Sequence, residues 1–156
     1  MKKLLFVLLS VSLLSCGASK TVRTSKKVIK GTWMLNNIDY NQSGTFKTTL
    51  LNDVSQDCFE GSSWQFIPNN NTGTYAIDKT DCATGTRNFI FTIQEIDPNT
   101  GLYDFLLKPT DAKGKSENNA GFRLKLASLT ETTMLWQQTV MLEGKPLVIN
   151  MNFSKN

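Results

Sequence analysis

Histidine is absent from this chain of 156 residues. Its absence removes the commonest general base, the Ser-His and Cys-His nucleophile pairs, and every histidine-ligated metal site. Glycine occurs only as isolated residues, so the chain also lacks the glycine-rich loops that bind phosphate. The sequence therefore gives no basis for a cofactor or metal site, and we expect that the protein is not an enzyme.

Carboxylates are the acid–base groups that remain. Asp78 and Asp81 flank the end of one predicted strand, and Asp97 and Asp104 flank a predicted turn. A glycosidase pair or a calcium loop is the catalytic or metal-binding interpretation, but neither group has the ligand spacing of a known calcium loop. Turn formation and surface solvation are the interpretation that these positions favour.

A long apolar run is missing as well. Residues 4–14 form the most apolar segment, which is too short to span a bilayer as a permanent anchor. It follows two lysines and precedes Ser15, the order of positive start, apolar segment and small residue that defines a secretory signal peptide. We predict a signal peptide over residues 1–15.

The end of that segment, Leu13-Leu14-Ser15-Cys16, resembles the lipobox of bacterial lipoproteins. The resemblance implies cleavage before Cys16 and attachment of lipid, including palmitate, at this residue. Similarity to enteric lipoproteins, with Gly17 next and no acidic run following, implies the periplasmic face of the outer membrane. An ordinary signal peptide with an incidental cysteine is the alternative.

Residues 16–30 contain cations and no acid, and they lack aromatic residues and clear periodicity. They predict a flexible basic tether whose charges favour an anionic headgroup surface beside the lipid, although a merely solvated linker is equally compatible. Residues 31–156 carry 10 basic and 13 acidic residues, a net charge of −3. This sign, and the lack of a basic stripe, do not support a nucleic-acid-binding body, and we expect no nucleic-acid partner.

The remaining chain reads as a meander of strands joined mostly by short polar turns. The predicted strands cover 31–39, 62–68, 73–79, 86–95, 102–108, 120–128, 132–142 and 145–154. A short strand over 46–51 and a helical turn within 52–59 are weaker predictions. Eight antiparallel strands can close into a barrel and so remove their exposed edges, with an open sandwich as the alternative.

Alternating large apolar residues predict one buried face for these strands. Eight of them could line an apolar ligand cavity inside the barrel: Trp64, Phe66, Tyr75, Phe89, Phe91, Phe105, Phe122 and Trp136. A solid core that these side chains fill is the alternative. Arg87 and Arg123 are the cations best placed to meet an acidic headgroup at a rim, although Arg123 alternates with inward residues and so also fits a solvated outer face.

Cys58 and Cys82 bracket a predicted hairpin that turns at Pro68-Asn69-Asn70-Asn71-Thr72-Gly73. If the hairpin folds about residue 70, residue 64 faces 76, residue 66 faces 74, and the two cysteines face each other. The pairing predicts a disulfide, with two reduced core cysteines as the alternative.

The opening Gly31-Thr32-Trp33 resembles the G-x-W start of lipocalins. The cysteine-framed hairpin, with Trp64, Phe66, Gly73 and Tyr75, looks like that of lipocalin-like bacterial envelope lipoproteins, and so does the C-terminal end from Ser128 to Lys155. The resemblance covers nearly all of residues 31–156. It implies an eight-stranded lipocalin-like barrel without assigned catalytic residues, in a family whose lipocalins proper bind small hydrophobic molecules.

Two functions remain open on this sequence. The first is a membrane-anchored binding module that holds a small hydrophobic or amphipathic ligand in the barrel. The second is a non-catalytic envelope protein with a solid barrel that binds an unidentified protein through loops such as 41–61 and 109–119. The expected partners are a membrane, through the lipid, and a small apolar ligand.

Overall fold

A computed structural model of the chain describes residues 20–97, 100 and 102–156. The predicted signal peptide and Cys16 lie outside these residues. The elements in chain order are α1 (Lys20–Ile29), β1 (Gly31–Tyr40), β2 (Thr49–Leu50), β3 (Val54–Ser55), α2 (Gln56–Phe59), β4 (Ser63–Ile67), β5 (Thr72–Ile77), β6 (Gly85–Ile96), β7 (Tyr103–Thr110), β8 (Phe122–Leu129), β9 (Thr133–Leu142) and β10 (Lys145–Lys155).

Eight strands form a closed antiparallel barrel in the order β1-β10-β9-β8-β7-β6-β5-β4. The strands from β4 to β10 pair with their sequence neighbours, and β1 closes the barrel by pairing with both β4 and β10. The prediction of an all-β, eight-stranded up-and-down barrel is confirmed, and the sandwich alternative is rejected. Closure leaves none of these eight strands with an unpaired edge.

The apolar residues of the strands point inward with a period of two, as the pleat of a strand requires. β5 shows the pattern most plainly, because Gly73, Tyr75 and Ile77 are buried while the residues between them are half-buried. A β-bulge between Leu35 and Asn37 shifts the alternation within β1. The shift buries Ile38, which a strict period of two places outside.

The barrel has two different ends, which the strand directions define. The capped end holds α1, the loops 68–71 and 130–132, and Asp97, Thr100 and Leu102 between β6 and β7. The lid end holds the loops 78–84, 111–121 and 143–144 together with residues 41–62, which we call the lid segment.

Residues 20–29 form the helix α1, so the prediction of a flexible tether is wrong for this part of residues 16–30. Ile29 is fully buried, and its carbonyl oxygen accepts a hydrogen bond of 2.8 Å from Trp33 Nε1. Lys155 Nζ donates to the carbonyl of Val28 and lies 5.1 Å from the centre of the Trp33 ring. These contacts hold α1 against the barrel.

The lid segment contains β2 and β3, which pair with each other, and the short helix α2. The predicted strand over 46–51 is reduced to β2, and the predicted helical turn begins later, at Gln56. Leu50, Leu51 and Phe59 are buried and belong to the core of the barrel. The lid segment thus closes part of the lid end with its own apolar side chains.

The predicted disulfide between Cys58 and Cys82 is confirmed, with the two Cα atoms 5.7 Å apart. The register on which it was predicted is wrong by one residue, because Trp64 faces Tyr75 and Phe66 faces Gly73. Directly opposed residues of an antiparallel pair share a face, so the buried Trp64 must face the buried Tyr75 and not its outward neighbour. The disulfide joins α2 to the loop 78–84, beyond the ends of the paired strands.

Candidate functional site

The middle of the barrel is filled by aromatic side chains that contact one another. Trp64 stacks on Tyr75 with ring centres 4.6 Å apart, and Trp136 lies 5.6 Å away at an interplanar angle of 82°. Phe66 lies 5.4 Å from Trp136 and 5.5 Å from Phe89. These spacings are those of favourable stacked and edge-to-face pairs, so the rings occupy the space in which a ligand would lie.

Seven of the eight predicted ligand-lining residues belong to this packed cluster or border it. Each is at most 2% exposed: Trp64, Phe66, Tyr75, Phe89, Phe91, Phe105 and Trp136. The eighth, Phe122, is half-buried at the start of β8, near the lid end. The structure therefore separates Phe122 from the others and brings it beside an open recess.

Gly73 gives the Phe89 ring its place in the cluster. A Cβ atom at residue 73 would lie 2.3 Å from Phe89 Cζ and 2.5 Å from the carbonyl oxygen of Gln65. Because the second of these atoms is backbone, the clash would not be relieved by a side-chain rotation. The absence of a side chain at residue 73 allows the ring to pack directly on β5.

Phe59 covers the lid-end side of the aromatic cluster. Its ring centre lies 5.3 Å from that of Tyr75 and 6.1 Å from that of Trp64. Because Cys58 precedes it, the disulfide to Cys82 fixes the position of Phe59 above the barrel. A ligand could enter the middle of the barrel from the lid end only after the lid segment moves.

A recess of about 390 Å³ lies at the lid end, between the lid segment and the loop 111–121. Its lining consists of Leu51, Asn52, Asp53, Tyr75, Arg87, Phe122, Ala120 and residues 109–111 and 116–118. Leu51, Tyr75 and Phe122 give it an apolar part, while the lid segment and the loop contribute polar groups. The size lies at the lower end of the range for small-molecule sites.

Three side chains of this recess form one electrostatic unit. Arg87 Nε lies 2.9 Å from Asp53 Oδ2, which also accepts a hydrogen bond of 2.8 Å from the Tyr75 hydroxyl. Burial, and then the hydrogen bond to Asp53, raise the pKa of Tyr75 far above its ordinary value. Tyr75 therefore remains a neutral hydrogen-bond donor at any physiological pH.

The arginine of this unit has little free capacity for an anionic ligand. Besides Asp53, the Arg87 guanidinium donates to the carbonyl oxygens of Gly85 and Ala83. The lining of the recess also contains the carboxylates of Asp111 and Glu117, so its formal charge is negative. The recess is suited to a ligand with an apolar part and a neutral or cationic polar group.

The second predicted rim cation does not reach the recess. Arg123 lies on the outer face of β8, where its side chain is 65% exposed and Nη1 lies 3.1 Å from Asp104 Oδ2. Its partner Asp104 and Asp97 are the carboxylates that were predicted to flank a turn. Asp97 Oδ1 accepts a hydrogen bond of 3.4 Å from the Thr100 amide. Asp97 and Asp104 thus serve a turn and a surface ion pair.

The described residues contain no group of three or more cysteines or carboxylates placed to hold a metal ion. Among the same residues, no helix is both long and apolar enough to cross a membrane. Asp53 pairs with Arg87 and Tyr75, and both Cys58 and Cys82 are in a disulfide. The described lid-end recess offers charged, hydrogen-bonding and apolar contacts to a ligand.

A closed antiparallel barrel of eight strands, with a helix at one end and a long segment over the other, defines a lipocalin-like fold. No protein-family model and no curated protein sequence matches this chain. A solved structure, that of a lipocalin-like protein from Bacteroides uniformis, is similar to it at 11% sequence identity and a TM-score of 0.51. The likeness covers 83% of this chain and 99% of that one, and it supports the lipocalin-like fold predicted for residues 31–156.

Sequence reasoning missed the roles of Asp53 and Phe59 in this site. A signal for Phe59 was present in the sequence: it is an apolar residue directly after Cys58, and the predicted disulfide holds Cys58 close to the barrel. No comparable signal marked Asp53, whose partner Arg87 is 34 positions away in the chain. Only the fold of the lid segment brings these two residues together.

Proposed function

We propose that this protein is a membrane-anchored lipocalin-like lipoprotein of the cell envelope that binds a small amphipathic ligand at the lid end of its barrel. The observation that carries the proposal is the recess itself. It combines the apolar surfaces of Leu51, Tyr75 and Phe122 with the ion pair between Asp53 and Arg87 and a net negative formal charge. The packed aromatic cluster favours the recess over the barrel interior as the binding site.

The ligand that fits this lining has a short apolar body and a neutral or cationic polar group. We expect dodecylammonium to displace the fluorescent probe N-phenyl-1-naphthylamine from the protein more effectively than dodecanoate does. The reason is that the ligand's ammonium would meet the carboxylates of Asp53, Asp111 and Glu117, whereas a carboxylate would be repelled.

A Phe122→Ala variant should weaken probe binding about tenfold, because it removes an apolar wall of the recess. Leu106→Ala is the matched control, since Leu106 is 38% exposed on the outer face of β7. Equal binding by both variants, or a preference for dodecanoate, would contradict a site in this recess.

The anchor is proposed from the sequence, on the apolar segment before Cys16 and the lipobox-like residues that end it. We place the protein at the periplasmic face of the outer membrane. A Cys16→Ala variant is expected to move from the membrane fraction to the soluble fraction, and globomycin is expected to cause accumulation of the uncleaved form. Unchanged membrane fractionation of the variant would refute the anchor.

A second function rests on a different observation, the exposed apolar tip of the β9–β10 hairpin. Met141 is 68% exposed and Leu142 is 42% exposed. Together with the filled barrel interior, this tip favours a structural or protein-binding role without a small ligand. Absence of any probe displacement from the wild-type protein would favour this function over ligand binding.

A further inference from the structure

The helix α1 presents a row of cations to solvent. Lys20, Arg23 and Lys27, with Lys30 directly after the helix, follow the spacing i, i+3, i+7 and i+10. At 100° per residue this spacing confines the four positions to about 80° of the helix circumference. All four side chains are exposed, and no ion pair joins them to another described residue. We call them the cationic face.

The opposite side of α1 faces the barrel. Ile29 is fully buried and Ser25 is half-buried, and their positions lie about 140–180° around the helix from Lys20. Lys26, at the border between the two sides, donates a hydrogen bond of 3.1 Å to Asn71 Oδ1 in the loop between β4 and β5. These contacts fix the rotation of the helix about its axis. Its cationic face therefore points outward, away from the barrel.

Formal charge divides between the two ends of the molecule. Residues 20–30 carry five cations, whereas the loops of the capped end add only Asp97 and Glu131. The lid segment and the loops of the lid end carry eight carboxylates and four cations. An anionic surface would attract the capped end and repel the lid end, so the charge distribution selects one orientation.

We propose that the cationic face docks the capped end of the barrel on an anionic phospholipid surface, with the lid end and its recess directed away from the membrane. Four cations aligned on one rigid face can approach the headgroups at the same time. Each charge near such a surface strengthens binding by about fivefold at most. The docking adds to any lipid at Cys16 and does not depend on it, because the cations are held by α1, which packs on the barrel through Ile29.

The test uses the chain from Gly17 onward, which contains every described residue and lacks the lipidation site. We expect it to co-sediment with vesicles of 30% phosphatidylglycerol in phosphatidylcholine and to be released by 0.5 M salt, which screens these charges. A variant with the four substitutions Lys20→Gln, Arg23→Gln, Lys27→Gln and Lys30→Gln should lose at least tenfold in vesicle affinity.

The matched control replaces Lys47, Lys113, Lys115 and Lys145 with glutamine. These four residues are exposed on the lid-end side, and the control changes the net charge by the same amount. Circular dichroism should show both variants folded. An equal loss of affinity in the control, or equal binding to pure phosphatidylcholine, would overturn the proposal.

The orientation is tested separately with vesicles that contain a gadolinium-chelating lipid. Amide NMR signals from α1 and the loop 68–71 should broaden, while signals from the loops 111–121 and 143–144 should not. Broadening centred on the lid end would overturn the proposed orientation. These outcomes do not depend on ligand binding in the recess, so the proposed function and the docking can fail independently.

Discussion

Tyr103 is a residue whose environment predicts a measurable dependence on pH. Its side chain is 3% exposed at the start of β7, and burial raises its pKa to about 12 from the ordinary 10.0. The Ser25 side chain interacts with the hydroxyl and lowers this pKa in part, but the two groups do not reach hydrogen-bond geometry. The folded state therefore holds this proton more tightly than the unfolded state.

The consequence is a loss of stability at alkaline pH. Because the folded-state pKa lies above the unfolded value, the contribution of Tyr103 is complete below pH 10 and declines as the pH rises towards 12, by about 3 kcal/mol. Tyr75 acts in the same direction. Urea unfolding between pH 8 and pH 11.5 should show the decline, and Tyr103→Phe should make it shallower. An identical alkaline decline in the variant would contradict the prediction.

The aromatic residues show how far sequence alone could resolve individual roles. Alternation along the strands identified which of them face inward, because the side-chain period of a strand is two. It could not separate a residue that fills the barrel, such as Trp136, from one that borders a recess, such as Phe122. That distinction depends on the height of each residue along the barrel axis, which register and loop packing determine.

At the scale of the elements, the disulfide links the lid segment, through α2, to the loop 78–84. The bond closes a loop with a sequence separation of 24, for which chain entropy predicts a stabilisation of about 3 kcal/mol. A Cys58→Ala/Cys82→Ala variant should lose about this free energy of unfolding in urea. Because the lid segment is no longer linked to the loop 78–84 in this variant, its amide hydrogens should also exchange faster.

The same experiment distinguishes a local from a global role of the disulfide. The loop 130–132 lies at the opposite end of the barrel from the bond, so its exchange should change only as much as global stability does. Unchanged exchange in the lid segment, together with unchanged unfolding, would show that packing of Phe59 alone holds this segment in place.

The helix α1 was not predicted, because the residues that repeat with a helical period in this segment are charged and not apolar. Apolar residues at helical spacing are the usual signal of a helix that packs on a core, and this segment ends with only Val28 and Ile29 as an apolar pair. The spacing of Lys20, Arg23 and Lys27 was visible in the sequence, but it does not by itself indicate a surface to pack against. Burial of Ile29 beside Trp33 supplies that surface.

At the scale of the whole molecule, the strand number and closure were predictable and the loop contacts were not. Eight segments with alternating apolar residues and short turns leave few topologies other than a barrel or a sandwich. The ion pair between Asp53 and Arg87 depends on the path of residues 41–62, whose apolar pattern is irregular. The lid-end recess could therefore not be predicted from the sequence, because its lining depends on the path of the lid segment.

Closure predicts that the barrel unfolds as one unit. The strand β1 pairs with both β4 and β10, so loss of any one strand exposes two unpaired edges. Trp33 lies near the capped end, whereas Trp64 and Trp136 lie in the central aromatic cluster, so tryptophan fluorescence reports on two regions of the core. Unfolding followed by fluorescence and by far-ultraviolet circular dichroism should give coincident transitions in urea. A fluorescence change that precedes the loss of strand signal would instead show that part of the aromatic core opens before the strands separate.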